Sequence, residues 1–170
     1  MLSKEMVQAL NKQINNEIYS AYLYLSMSSF TTFIGLKGAA NWFMVQYQEE
    51  MTHAMKFYDY INSQGEHAQL DAIAAPPAEF GTLLSMFEQT LKHEQFITRC
   101  INDLMDQAMK EKDHATQIFL QWFVTEQIEE EGNDNDIIAK LRLVGDSAHG
   151  LMMVDRDLAA RVFTPPAPAA

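Results

Sequence analysis

The chain has 170 residues, 48% of them hydrophobic, and a formal net charge of −11. That length and apolar fraction are enough for one domain with a substantial core and exclude a disordered chain. The negative balance repels phosphate backbones and draws cations, which excludes nucleic acid as a partner class.

Only seven glycines and five prolines interrupt the chain, and three of the prolines fall in the tail "TPPAPAA" at 164–170. Sparse breakers favour long helices over short strands. The first predicted helix covers about 3–33, with Ser3 as N-cap and Gly35 as stop. Its apolar stripe is Leu10, Ile14, Glu17, Ala21, Tyr24, Leu25 and Ser28. The second covers about 36–63, with Phe43, Tyr47, Glu50, His53 or Ala54, Phe57 and Ile61. Segment 66–82 has no helical period and contains Pro76-Pro77. The third helix covers about 83–110, with Phe87, Leu91, Glu94, Ile97, Ile101 and Met105. The fourth covers about 114–144, with Phe119, Phe123, Gln127, Glu130, Ile137 and Leu141, and Gly145 ends it. Gly132 and the Asn/Asp run "GNDND" at 132–136 predict a bend or loosening inside this helix. A shorter fifth helix, about 148–162, carries Leu151, Val154 and Leu158 and has no evident partner in the first bundle.

Short turns make helices one and two, and three and four, antiparallel hairpins. Helices of about 28 residues are roughly 40 Å long. A loop of about 17 residues spans up to about 55 Å, enough to run the length of the bundle. The expected fold class is all-α: a four-helix bundle with one long crossover and a short fifth helix, residues 1–163 forming one domain.

Each long stripe is interrupted near its middle by acid: Glu17, Glu50 with His53, Glu94, and Gln127 with Glu130. A buried carboxylate costs several kcal/mol unless it is paired or bound to metal. Four carboxylates converging on one imidazole call for bound cations. Oxygen-rich donors with one nitrogen suit iron or manganese better than a structural zinc. Two metals bridged by Glu50 and Glu130 would balance the charge.

"NNEIYSAYLY", "QEEMTHAMKFYDYI", "KHEQFITRCIN" and "FLQWFVTEQIEEE" together resemble the bacterial non-haem ferritins over about residues 1–163. The resemblance implies a ferroxidase and iron-storage subunit of the ferritin-like fold. Glu17, Glu50 and His53 would hold one iron. Glu50, Glu94 and Glu130 would hold a second, with Gln127 beside it. Glu49, Glu126, Glu129 and Glu130 match the family's third site, toward the inner surface. Tyr24, seven residues from Glu17 and within about 20° of its face, matches the tyrosine beside the centre, and Trp122 the nearby aromatic. Fe(II) would be the substrate, with dioxygen or hydrogen peroxide as electron acceptor. The product would mineralise inside a homo-oligomeric cage of twenty-four subunits. The fifth helix would pack around fourfold axes through Leu151, Met152, Val154 and Leu158, and Arg156, Asp157 and Arg161 would pair between subunits.

Related di-iron proteins carry Glu-x-x-His on two helices; this chain has it once, at Glu50 to His53. The Gln127 to Glu130 pair lacks the imidazole and should hold its iron more loosely, as suits a centre that passes iron on. Met51 has the spacing of a bacterioferritin haem ligand, but non-haem members share it and no haem is expected. Asp134 and Asp136 add acid suited to iron transit or mineral nucleation. His67, His93, His114 and His149 read as surface or packing residues. Cys100, the single cysteine, permits no intrachain disulfide and reads as a small buried apolar group. With no basic-then-apolar leader and no apolar run of about 18 residues, a soluble cytoplasmic protein without a membrane partner is expected. A DNA-binding mini-ferritin would need basic termini. A di-iron oxygenase or peroxidase would need the second Glu-x-x-His or a cysteine-rich iron module.

Overall fold

A computed structural model describes residues 2–165. The Pro/Ala tail therefore lies outside the described residues from position 166 onward. Five helices run in order: α1 Lys4–Phe33, α2 Lys37–Ser63, α3 Leu83–Glu111, α4 His114–Val144 and α5 Ala148–Leu158, and no strand occurs among the described residues. Side chains set most of the helix starts. Ser3, Thr82, Asp113 and Ser147 each accept a hydrogen bond from a backbone N–H three residues on, satisfying donors that a helix start leaves orphaned. The α1–α2 turn closes on Gly35 at φ +89°, a conformation that glycine adopts without strain.

The irregular segment between α2 and α3 travels along α1. Gln69 N–H donates to Asn11 Oδ1 at 2.8 Å, Asn15 Nδ2 to the Ala72 carbonyl at 3.1 Å, and Ser26 Oγ to the Pro77 carbonyl at 2.6 Å. The contacts climb α1 in step with the loop. This is the long crossover, and it sets α2 antiparallel to α4.

The core splits into two apolar clusters. One joins Tyr24 and Met27 to Trp42, Phe43, Phe87, Ile137 and Leu141. The other joins Leu10 and Ile14 to Phe57, Ile61, Ile97, Leu120 and Phe123. Between them lies a buried polar layer, described below.

One expectation requires correction and another is narrowed. Helix α4 spans the expected 114–144 and stays helical through Gly132–Asp136. Gly132 is exposed and has open space around it, while Ile137, Ile138 and Leu141 beyond it are anchored in the core; packing outweighs the roughly 1 kcal/mol glycine penalty. Helix α5 does have a partner inside its own chain, and it stops at Leu158. Its Leu151, Val154 and Leu158 pack against the first apolar cluster, and Asp155 Oδ1 accepts from Ala39 N–H at 2.8 Å. The close approach depends on Gly38: a Cβ there would lie 1.6 Å from the Asp155 carbonyl oxygen. Val154 and Leu158 are thus spent within the subunit, whereas Met152 and Met153 face outward. Arg161 is likewise engaged internally with Glu49, and Arg156 lies 3.4 Å from its neighbour Asp157 on the surface.

Candidate metal centre

The polar layer is built where the stripes of four helices pass between the two apolar clusters. Glu17, Glu50, His53, Glu94, Gln127 and Glu130 are all buried and converge there. One imidazole nitrogen of His53 and one carboxylate oxygen each of Glu17 and Glu50 lie within 4.8 Å of one another. Within that group, His53 Nδ1 is 3.4 Å from Glu50 Oε2.

Neighbouring donors orient only part of this set. Gln13 Nε2 donates to Glu17 Oε1 at 2.8 Å, and Asn16 Nδ2 donates in turn to Gln13 Oε1 at 3.1 Å. Gln127 Nε2 donates to the Glu94 carboxylate at 3.2 Å, and Tyr24 hydroxyl donates to the other Glu94 oxygen. Gln46 Nε2 donates to Glu130 Oε2 at 3.0 Å. Glu17 Oε2 and Glu50 Oε2 are left buried without a hydrogen-bond partner. His53 is flanked edge-on by Trp122 and Phe123, with ring centroids 5.3 and 6.0 Å away.

Burial, and then the charge of Glu50, pushes the Glu17 carboxyl well above the ordinary range. Glu50 is raised by burial and by Glu94 and Glu130, and Glu94 by burial and Glu130. Tyr24 is raised by burial and the adjacent Glu94. With no cation bound, burial and mutual repulsion favour the protonated form of each of these groups. A dication replaces the protons and supplies the missing partners of the orphaned oxygens. The donor set, all oxygen apart from one imidazole, fits iron or manganese.

The residues matched to a third site are placed unevenly. Glu49 and Glu126 are half-buried and Glu129 is exposed. Burial raises the Glu49 carboxyl to about 7, against the opposing pull of Arg161. Burial also raises Glu126, which feels Glu130 and Glu129. Arg161 Nη2 donates to Glu49 Oε2 at 2.5 Å while its guanidinium lies 4.5 Å from the Trp42 ring centre. A fixed protein cation therefore already neutralises one member of the quartet. Of the two acids suggested for transit, Asp136 is exposed and Asp134 is fully buried. His67, His114 and His149 are exposed. His93 is half-buried beside Tyr24, 2.7 Å from Ser20 Oγ, and burial lowers its pKa to about 4. Cys100 is half-buried.

Sequence reasoning did not single out Gln46, Gln13 or Arg161 as partners of the centre. Gln46 was legible in principle: it lies four residues before Glu50, on the same helical face. Arg161 carried no such signal, because it reaches Glu49 from beyond α5.

A family model for the ferritin-like domain matches residues 7–144. The chain is 44% identical over 163 residues to a bacterial non-heme ferritin of Staphylococcus saprophyticus, covering 96% of this chain and 98% of the relative. It is 44% identical over 156 residues to a bacterial non-heme ferritin of Campylobacter jejuni, covering 92% and 93%. Its backbone superposes on an open-pore ferritin from the archaeon Archaeoglobus fulgidus with a TM-score of 0.94 at 49% identity, over 95% of this chain and 99% of the other.

Proposed function

The chain belongs to the ferritin family, and from that premise we propose that it is an iron-storage subunit that oxidises Fe(II) at the buried layer and passes Fe(III) on to a mineral. The observation that carries this reading is the Glu17–Glu50–His53 group, whose ligand atoms lie within 4.8 Å of one another and whose oxygens Glu17 Oε2 and Glu50 Oε2 have no partner.

Iron is substrate here. Glu17, Glu50 and His53 would take one Fe(II), and Glu94 and Glu130, with Glu50 shared, a second. Binding competes with protons, whose hold on Glu17, Glu50 and Glu94 burial strengthens. Two Fe(II) lose two electrons, and dioxygen gains two electrons and two protons to give hydrogen peroxide. With hydrogen peroxide as acceptor, the same two electrons and two protons yield two waters. Carboxylates favour Fe(III) over Fe(II) by charge, while His53, packed against Trp122 and Phe123, fixes one donor direction. Tyr24 and Gln127 hold Glu94, and Gln46 holds Glu130, so the second position is formed by side chains that must give up hydrogen bonds to bind. Glu49, Glu126 and Glu129 would receive iron on its way out.

A single bundle encloses no cavity for mineral, so the reading includes a cage of twenty-four copies. Exposed Phe33, Ile118, Ile128, Leu143 and Met152 support burial between subunits. Among the described residues, no helix is long and apolar enough to cross a membrane.

The test is aerobic addition of Fe(II) to the apoprotein, following ferric absorbance and the size of the assembly. Rapid oxidation by the wild type and none above the protein-free rate by Glu50→Ala are expected. Equal rates in both would overturn the reading.

A further inference from the structure

Asp134 lies one helical turn beyond Glu130 on α4 and is 0% exposed, and neither of its carboxylate oxygens has a hydrogen-bond partner. Gln46 lies one turn before Glu50 on α2 and is also 0% exposed. Its amide nitrogen is spent on Glu130 Oε2, and its amide oxygen is buried without a partner. Because α2 and α4 are antiparallel, a step back along α2 and a step forward along α4 lead to the same end of the bundle. The first apolar cluster shows this pairing directly, joining Trp42 and Phe43 to Ile137 and Leu141. Asp134 and Gln46 therefore sit at one level, next to the centre and on its α5 side.

Three buried acceptor atoms at this level find no protein donor. Neither Arg161 nor Tyr24, whose groups interact electrostatically with Asp134, donates to it. Arg161, whose charge reaches Asp134, is bonded to Glu49 through Nη2 and stacked on Trp42, and its buried Nη1 makes no hydrogen bond to Asp134 or to any other group. Tyr24, within range of the Asp134 charge, donates to Glu94. Leaving two carboxylate oxygens and an amide oxygen unpaired in the interior costs several kcal/mol. Oxygen acceptors without donors are what a hard dication requires. Asn133 and Ile137, on either side of Asp134, line a cavity of about 420 Å³ between α2, α4 and the C-terminal segment, together with Trp42, Leu158 and Arg161.

We propose that Asp134, with the Gln46 amide oxygen and a carboxylate oxygen of Glu130, forms a further site for a hydrated divalent cation, a station between the centre and this cavity. It shares Glu130 with the residues matched to a third site but uses none of Glu49, Glu126 and Glu129, which are half-buried or exposed. The inference rests on the di-metal reading of the centre because it shares Glu130 with it.

The test uses crystals of the full chain soaked in Mn(II), a redox-stable, oxygen-seeking probe, with anomalous difference maps of the wild type and of Asp134→Asn. Asparagine keeps the shape and removes a buried ionisable group, so the variant should fold. Wild-type crystals should show a peak bounded by Asp134 and Gln46 in addition to those at Glu17–Glu50–His53 and at Glu94–Glu130. Asp134→Asn should lose the additional peak alone, and equilibrium Mn(II) counting in solution should fall by one ion per subunit. Filling of the central positions with no peak at Asp134, including an Arg161 guanidinium turned onto Asp134 instead, would overturn this inference and leave the centre standing. Persistence of the peak in Asp134→Asn would also overturn it. Crystals with no manganese in any of these positions would overturn both readings together.

Discussion

The two corners of the buried layer solve the same problem in different ways. At Glu17, Glu50 and His53, three ligating groups from two helices are already gathered, and one oxygen each of Glu17 and Glu50 is buried without a hydrogen-bond partner. At Glu94 and Glu130, the carboxylates come from different helices and are held by Tyr24, Gln127 and Gln46, all neutral donors. The first corner is kept in place by α1–α2 packing and is short of a cation. The second is satisfied without one. A metal arriving at the first relieves repulsion, whereas a metal arriving at the second must displace hydrogen bonds. Unequal affinity is the physical consequence, and it suits a centre in which one ion is held and the other is passed on.

Glu50→Ala should produce the largest change, since this carboxylate serves both corners. Oxidation of Fe(II) should fall by at least about 100-fold, equivalent to about 2.7 kcal/mol. The apoprotein should unfold at the same or a higher temperature, because a buried unsatisfied acid is gone. A variant that unfolds at lower temperature would mean that Glu50 is satisfied in the apoprotein, which breaks the contrast.

Apoprotein stability should also fall as pH rises, by an amount on the order of a few kcal/mol. A buried acid whose folded-state pKa is raised binds more protons folded than unfolded at intermediate pH. Stability is therefore lost as pH climbs from the unfolded value toward the folded one. For Asp134 the window runs from 3.8 to about 9, the rise being due to burial and then to Glu94. Glu17 and Glu50, also raised, act in the same direction. Denaturant unfolding between pH 5 and 9, with and without Mn(II), tests this. The metal should flatten the slope, and a slope of the opposite sign would show that the acids are ionised and paired.

Gln127→Glu sharpens the contrast from the other side. It removes the donor to Glu94 and adds a carboxylate, making the second corner resemble the first. Apoprotein stability should drop by about 1–3 kcal/mol, and divalent affinity there should rise severalfold by calorimetric titration, with slower exchange. Unchanged affinity would show that Gln127 does not limit binding.

Tyr24→Phe should have the smallest effect. It frees one Glu94 oxygen, costs about 1 kcal/mol of stability, and should slow oxidation only severalfold by stopped-flow absorbance. A loss as large as that of Glu50→Ala would give the hydroxyl a role beyond holding Glu94.

Periodicity made much of this arrangement legible. Glu17, Glu50, Glu94, Gln127 and Glu130 interrupt apolar stripes, so a reading of helical faces sends them inward, and the structure gathers them in one layer. The crossover followed from loop length, and Asn11, Asn15 and Ser26 mark its course. The bounds of α4 matched the pattern, and the helix continues through Gly132 and its neighbours because Ile137, Ile138 and Leu141 anchor the turns beyond them. The α5 forecast failed because nothing local to α5 announces that Gly38 lacks the side chain which would keep it away.

The amino-acid order by itself determined which faces of which helices are apolar, where acids and the imidazole break those faces, and how far the connecting loop can reach. These are properties of residues close in the chain, set by the 3.6-residue turn and the rise per residue. Tertiary structure alone decided which groups meet across helices: Gln46 with Glu130, Arg161 with Glu49, Gly38 with Asp155, and Asp134 with no donor at all. A helical period sets the direction in which a side chain points, whereas its hydrogen-bond partner depends on what the opposing element presents at the same height.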